Sequence, residues 1–327
     1  MTDQKVLLPK VSILVPVYKR EAIIGECIQS ALDQSFTDLE VVVVDNASDD
    51  GTWQICQQFA AKDHRVRAFR NDTNIGPVRN WLACLAQARG KYTKILWSDD
   101  LIHPEFLDKL LPFLEHPDVG FVYSATDIFK SNRFESIAKY FRNAKTGVYD
   151  TAFYIDGALL GGDFPGSPGC AIFRTADVRK NLLLQVPNSV NSDYSMHAIG
   201  NDLLLFLLTA ADYPKFALVN EPLAYFRAHA TSITTSAAKG KIPLHYDLAK
   251  GFFAVNHVKD ESFIKKLNAE FLIHLYLYQG SQFGIRSLSD FYPAKISARV
   301  DYFYFARRLL RVVRKRIMSK ITVFKSK

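Results

Sequence analysis

VSILVPVYKREAIIGECIQSAL, residues 11–32, and EVVVVDNASDDGT, residues 40–52, carry one plan twice: a short, almost wholly apolar run, a polar turn, then the start of a helical spacing. A strand that is apolar at every position, rather than at alternate ones, is buried on both faces, as the strands of a parallel sheet are. The rhythm continues outward from there. Val11–Val17, Glu40–Asp45, Val66–Arg70, Thr93–Trp97 and Val119–Ser124 read as strands, and residues 20–34, 49–61, 76–88 and 104–115 between them have helical spacing. Such alternation predicts an α/β fold with a mostly parallel central sheet flanked by helices. Ligands of these sheets bind beyond the carboxyl ends of the strands, so chemistry is expected in the turns after Val17, Val44, Arg70 and Trp97.

From about residue 126 the rhythm breaks. Residues 157–170, GALLGGDFPGSPGC, read as an irregular loop rich in Gly and Pro. Residues 201–211 read as a helix, 215–227 as extended chain, and 245–285 as mainly helical with many aromatics. The division expected is one domain over residues 1–240, made of halves 1–125 and 126–240, followed by a mainly helical C-terminal region over 241–327.

With 48% hydrophobic residues in 327, the chain has ample material for a buried core, which excludes a disordered protein. Cys27, Cys56, Cys84 and Cys170 form no CxxC pair and no zinc spacing, so a reducing compartment is expected. The opening MTDQKVLLPK lacks the apolar core of a signal peptide. The longest apolar runs, such as Leu203–Ala211, fall short of the roughly 20 residues that span a bilayer. The net charge of +8 is a property of the tail: residues 301–327 hold nine Lys or Arg and one acid, leaving the rest of the chain formally neutral. That distribution argues against a nucleic-acid-binding face and for a local electrostatic contact.

The residues that say most about chemistry are Ser98, Asp99 and Asp100, directly after TKILW. Adjacent carboxylates at a strand tip repel unless a cation compensates them, and Mg²⁺ or Mn²⁺, which take oxygen ligands, commonly bridge such a pair to substrate phosphates. Capping of the next helix is the alternative, but Pro104 suits its first position and His103 its cap, which leaves the aspartates too early. Asp45 and Asn46 end a buried strand, where they can meet a base edge or ribose hydroxyls. Ser48, Asp49 and Asp50 read as caps of the helix that follows. After the first strand, Pro16 stiffens the turn, Tyr18 offers a ring to stack on a base, and Lys19 or Arg20 can meet phosphate.

Four motifs in order, VSILVPVYKREAIIGECIQSAL, VVVVDNASDDGT, NIGPVRN and SDD, resemble the donor half of glycosyltransferase family 2 and its GT-A fold. That family transfers sugars from nucleotide donors, usually with inversion and with Mg²⁺ or Mn²⁺. The resemblance implies that Pro16, Tyr18, Arg20, Asp45, Asn46 and Asn74 hold the nucleotide sugar and that Arg79 faces the diphosphate. It further implies that Asp99 and Asp100 contact ribose and metal. Two features depart from the family's pattern. Trp97 stands where the first acid of D-x-D is usual, and Arg79 lies in GPVRN rather than beside small residues.

On the acceptor side, Asp202 in GNDLLLFLLTA lies where the family has the acid that serves as catalytic base. A base is required because the acceptor hydroxyl must lose its proton as it attacks. Read from the residues alone, Asn201 and Asp202 equally suit a helix cap and first turn. Arg227 and His229 in EPLAYFRAHATSIT resemble the family's R-x-H segment, which implies a place near the diphosphate or metal; a solvated histidine is the alternative. Residues 231–241 read as a loop that can close over the donor. As a helix, the tail would segregate Phe303, Ala306, Leu310, Val313, Ile317, Ile321 and Phe324 from its basic residues, which suits either an interfacial helix on anionic lipid or a helix packed on its own domain.

The reading expected is therefore an inverting, metal-dependent glycosyltransferase, peripheral on the cytoplasmic face of the cell membrane, with a lipid-linked saccharide as acceptor in surface-polysaccharide synthesis. It has no nucleic-acid partner. A sugar-phosphate nucleotidyltransferase is a rival, though VPVYKREAIIG lacks the glycine-rich loop such enzymes carry, as is a non-catalytic membrane adaptor. No GxGxxG follows the first strand, which speaks against a dinucleotide-dependent oxidoreductase.

Overall fold

The computed structural model describes residues 8–229, 237–294 and 296–325. β1 (Val11–Val17), α1 (Ile24–Leu32), β2 (Leu39–Asp45), α2 (Thr52–Lys62), β3 (Val66–Arg70), α3 (Pro77–Gln87) and β4 (Tyr92–Ile95) alternate along the first hundred residues. There follow β5 (Leu101–Ile102), α4 (Phe106–Leu114), β6 (Val119–Phe129), β7 (Ala138–Tyr140), β8 (Gly147–Asp150), α5 (Thr151–Leu159), β9 (Ala171–Arg174), α6 (Thr175–Asn181), α7 (Tyr194–His197), α8 (Asn201–Asp212) and β10 (Lys215–Arg227). The remaining helices are α9 (Lys241–His257), α10 (Glu261–Leu277) and α11 (Tyr302–Lys325).

The strands form one sheet in the order β3-β2-β1-β4-β9-β6-β10-β5, with β7 on β6 and β8 on β10. β3, β2, β1 and β4 run parallel, whereas β9 is antiparallel to both β4 and β6, so the sheet as a whole is mixed. β1 and β2 are buried at all seven positions each, which accounts for their unbroken apolar sequence. The chain steps from β1 to β2 and β3 on one side and then returns to place β4 on the other. The exit turns of β1 and β4 therefore diverge and leave a crevice at their carboxyl ends.

Several elements begin later or end sooner than their sequence predicts. α1 starts at Ile24 because residues 18–23 make a turn, and α4 starts at Phe106, not Pro104. His103 still serves that start, its Nδ1 accepting the backbone N–H of Glu105 at 3.2 Å. The irregular loop expected over 157–170 is shorter, since Gly157–Leu159 complete α5 and Pro168–Cys170 form a 3₁₀ turn. At the start of α2 only Asp50 bonds the helix, accepting from Thr52 N; Ser48 bonds Asp45 and Lys19 instead, and Asp49 pairs with Lys19. Asn201 is not a cap. Gly200, in left-handed backbone at φ 107°, precedes α8, and the Asn201 amide donates to Leu183 O.

The chain divides into two compact units: Met1–Ala158 with Gly162–Val186 and Asp193–Ser236, and Leu159–Gly161 with Pro187–Ser192 and Ala237–Lys327. The core of the first, beyond β1 and β2, is an aromatic cluster of Phe121, Tyr154, Phe173, Phe206 and Phe216, whose rings meet edge-on or stacked. In the second, Phe271 stacks on Phe291 at 4.7 Å, and the Asn268 amide holds the carbonyls of Ser297 and Arg299. Gly251 lets α9 approach the 3₁₀ turn at residues 288–291, because a Cβ there would lie 1.9 Å from Phe291 O.

α11 joins α10 through Glu270, which accepts from Tyr304 Oη at 2.7 Å and from Arg308. Phe303 and Leu310, of the apolar face read from sequence, are 74% and 70% exposed. The side chains of Val313, Ile317, Ile321 and Phe324 lie outside the described residues, as do residues 231–236 of the closing loop expected over 231–241. No helix among the described residues is long and apolar enough to cross a membrane.

Candidate functional site

Four exit turns build the crevice. After β1, Lys19 takes left-handed backbone at φ 51°, and after β2, Ala47 does so at φ 60°. Both are strained for residues with a side chain, and such strain clusters at functional sites. Lys19 N donates to Ser48 Oγ at 2.9 Å and Arg20 N to Thr52 Oγ1 at 2.8 Å, locking the two turns together. After β4, Asp100 N donates to Trp97 O in a tight turn that holds Asp99 and Asp100 between β4 and β5. β5 is antiparallel to β10, with Leu101 opposite Tyr225, and this brings Arg227 and His229 to the acidic turn.

The acidic turn is a network. Arg227 N donates to Asp100 Oδ1 at 2.9 Å, its Nε to Asp99 O at 3.1 Å, and its Nη2 to Glu26 Oε2 at 2.6 Å. Its guanidinium also lies over the Phe129 ring at 4.6 Å. His229 Nε2 lies 2.7 Å from Asp99 Oδ2, and Arg20 Nη2 lies 3.9 Å from the same oxygen. Arg20, Asp99, Asp100, Arg227 and His229 thus form one cluster at the strand tips. Asp100 is buried, and burial first, then the neighbouring Asp99 charge, pushes its carboxyl well above the usual range, against the Arg227 N–H and the Lys94 charge.

The two carboxylates of this turn, Asp99 and Asp100, are oxygen ligands of the kind a divalent cation shares with phosphate oxygens and water. Among the described residues no three His, Cys, Asp or Glu side chains are grouped so as to hold a metal ion. Burial beside Asp99 disfavours the ionised form of Asp100, and a cation placed here would favour it.

At the end of β2, Asp45 is fully buried; it accepts from Ser48 N and pairs with Arg70, whose Nε lies 3.2 Å from its Oδ2. Asn46 donates to Asn74 Oδ1 at 2.8 Å and accepts from Asn71 Nδ2 and Ile75 N, both at 3.0 Å. Its amide therefore fastens the end of β2 to the 71–76 turn. Pro16 is buried within β1 opposite Val44, whereas Tyr18 is 39% exposed. Arg79 donates to Ser195 Oγ at 2.8 Å, towards α7. Asp202 is buried at the start of α8, its Oδ1 accepting from Gly200 N at 3.0 Å and Leu203 N at 2.9 Å.

Three further participants had no site role assigned from the sequence. Glu26 on α1 anchors Arg227. Trp97, in place of an acid, donates from Nε1 to Ser167 Oγ at 2.8 Å and packs on Trp81. Lys94 is fully buried and donates to the carbonyls of Ile95 and Gly169. Its sequence signal is a lysine inside an otherwise strand-like run. Beside Glu26 a cavity of about 360 Å³ opens, lined also by Asp33, Phe129 and Arg133.

Residues 12–182, more than half of the chain, match the family model described as glycosyl transferase family 2. EpsE of Bacillus subtilis, provisionally named a glycosyltransferase, is 38% identical over 108 residues, 33% of this chain and 39% of EpsE. TuaG of the same organism, provisionally named a teichuronic acid biosynthesis glycosyltransferase, is 30% identical over 152 residues, 46% of this chain and 59% of TuaG. The matches thus span less than two thirds of these relatives. The crystal structure of S. aureus TarS in complex with UDP-GlcNAc has a TM-score of 0.63 with this chain at 20% identity, over 86% of this chain and 77% of that one. That likeness bears on the fold: an α/β layer with a central mixed sheet flanked by helices, as in GT-A glycosyltransferases, with a helical C-terminal region.

Proposed function

Because the chain belongs to glycosyltransferase family 2, we propose that it transfers a sugar, with inversion, from a nucleotide-sugar donor to a lipid-linked saccharide in the making of a bacterial surface polysaccharide. The observation that carries this reading is the cluster of Arg20, Asp99, Asp100, Arg227 and His229 at the carboxyl ends of the strands, spanning the turns that diverge at β1 and β4. TuaG, named for teichuronic acid, supports a polysaccharide product, and TarS, crystallised with UDP-GlcNAc, supports a nucleotide-sugar donor.

In this reading Tyr18 stacks on the base, Asp45 and Asn46 shape the base and ribose wall, Asn74 braces it, and Pro16 stiffens the floor beneath. Asp100, Asp99 and His229 would hold Mn²⁺ or Mg²⁺, which when bound offsets charge on the leaving diphosphate. Arg20 approaches that charge from the β1 turn, and Arg79 is a second cation for it from the α3 side. Arg227 orients the acidic turn: with its N–H on Asp100 and its side chain on the Asp99 carbonyl and Glu26, it fixes where both carboxylates point. Asp202 takes the proton of the acceptor hydroxyl, its carboxylate oriented by the Gly200 and Leu203 N–H groups. Residues 1–240 would then be the catalytic domain, with 241–327 a helical extension that places the protein on the cytoplasmic face of the membrane.

A thermal-shift panel of UDP-, GDP-, CDP- and dTDP-sugars with manganese, followed by an assay of nucleoside diphosphate release, tests this. Stabilisation by one donor and metal-dependent release are expected. If no donor stabilises the protein and none is turned over, the reading fails.

A further inference from the structure

Outside the site, the part of the described surface that asks most for a partner is the hairpin after β6. Residues 130–145, KSNRFESIAKYFRNAK, hold five basic residues, Lys130, Arg133, Lys139, Arg142 and Lys145, against one acid, Glu135, in a stretch of chain whose remainder up to residue 300 carries no excess of bases. Arg142 pairs with Asp127 at 2.9 Å, while Lys130, Lys139 and Lys145 are exposed. Three large apolar side chains stand among them in the open: Phe134 is 81% exposed, Ile137 55% and Tyr140 46%. Sequence local to the hairpin does not require this exposure, because its backbone is already held by β7 pairing on β6 and by Ile137 N bonding Ile128 O.

Apolar tips ringed by ammonium groups are the composition of an interfacial anchor: the rings and aliphatic chains enter the headgroup boundary while the cations meet anionic lipid. A protein partner of opposite charge would be served by the lysines, but it would gain nothing from a bare Phe134 at the tip unless it offered a pocket. Position favours the membrane as well. Phe129, the residue before the hairpin, is the register partner of Arg227 on β10, so the hairpin rises from the rim of the acidic turn.

We propose that residues 130–145 dock on anionic lipid, with Phe134, Ile137 and Tyr140 entering the interface and Lys130, Lys139 and Lys145 meeting the headgroups. The β6 end of the cleft then faces the surface on which a lipid-linked acceptor is presented. That purpose rests on the acceptor proposed above; the docking itself does not.

The test uses the full chain carrying Phe134→Cys and an environment-sensitive fluorophore, which goes to that position because the four native cysteines are buried. Vesicles of phosphatidylglycerol with phosphatidylcholine should shift the emission to the blue, vesicles of phosphatidylcholine alone should not, and salt should reverse the shift. Adding Lys130→Glu, Lys139→Glu and Lys145→Glu should weaken the apparent affinity at least about tenfold. An unchanged emission while the protein sediments with anionic vesicles would overturn the proposal, since the hairpin would then be away from the lipid. An equal shift on neutral vesicles would overturn it too. Donor binding, read by thermal shift on the same labelled protein, separates this from the proposed function: a lipid-dependent emission shift with no donor binding leaves the docking standing and sinks the transfer reading.

Discussion

His229 Nε2 sits 2.7 Å from Asp99 Oδ2, although 130 residues separate them in the chain. The contact closes the end of β10 onto the acidic turn, and Arg20 reaches the same oxygen from the β1 exit at 3.9 Å. One carboxylate therefore draws groups from two other segments to its own turn.

Asp99→Asn keeps the shape and removes the charge that both His229 and Arg20 face. Transfer is expected to fall about 100-fold, as for partners that orient a metal site. Steady-state rates of nucleoside diphosphate release against the parent protein check this, and a loss below threefold would detach Asp99 from the reaction.

Removing divalent cations with EDTA should abolish turnover, and Mn²⁺ or Mg²⁺ should restore it. The measurement is release before and after dialysis, with calcium as a control for charge alone. Full activity in the chelated protein would mean that Arg20 and Arg79 carry the diphosphate charge by themselves.

Asp202→Asn preserves an acceptor for the N–H groups of Gly200 and Leu203, so the start of α8 should keep its structure. Loss of a general base lowers kcat by about 10²–10⁴-fold. The KM for the donor should stay near its parent value. If kcat is unaffected and the donor KM rises instead, Asp202 belongs to binding.

His274 predicts a pH dependence of stability. Burial draws its imidazole pKa down, but the Asp247 carboxylate, 2.6 Å away, more than reverses this and the net direction is upward from 6.5. A raised native pKa contributes stability that is complete below 6.5 and is lost as pH climbs through the native value. His274→Gln should therefore lower the thermal midpoint more at about pH 6 than at about pH 9. Equal losses at both pH values would show that packing, not charge, holds the pair.

What could be read from the chain beforehand follows from how local each signal is. β1 and β2 were legible because burial on both faces leaves an unbroken apolar run, and β10 because its extended stretch is long. β5, two residues that exist only by pairing with β10, has no local signature. The start of α1 was misplaced because Lys19 and Arg20 are held in a turn by Ser48 and Thr52, partners from the next strand's exit. Asn201 resembled a cap since Asn is a frequent one, yet Gly200 alone accepts the left-handed backbone there. The clustering of Arg20, Asp99, Asp100, Arg227 and His229 was suggested by motif order. Glu26 and Lys94 were not, because their roles are contacts made 201 and 75 residues away.

Lys94 has one more implication. Its ammonium, sealed in the core over the Phe106 ring, grips the Gly169 carbonyl, and Gly169 is wedged so closely between Trp97 and Phe226 that a methyl group there would collide with Phe226 and crowd Trp97. The strand leading to the acidic turn and the Pro165–Cys170 segment are thereby welded into a single plate. Warming should not peel that segment away as an early, independent flap; the floor of the crevice should hold its amide protons until the whole first unit melts.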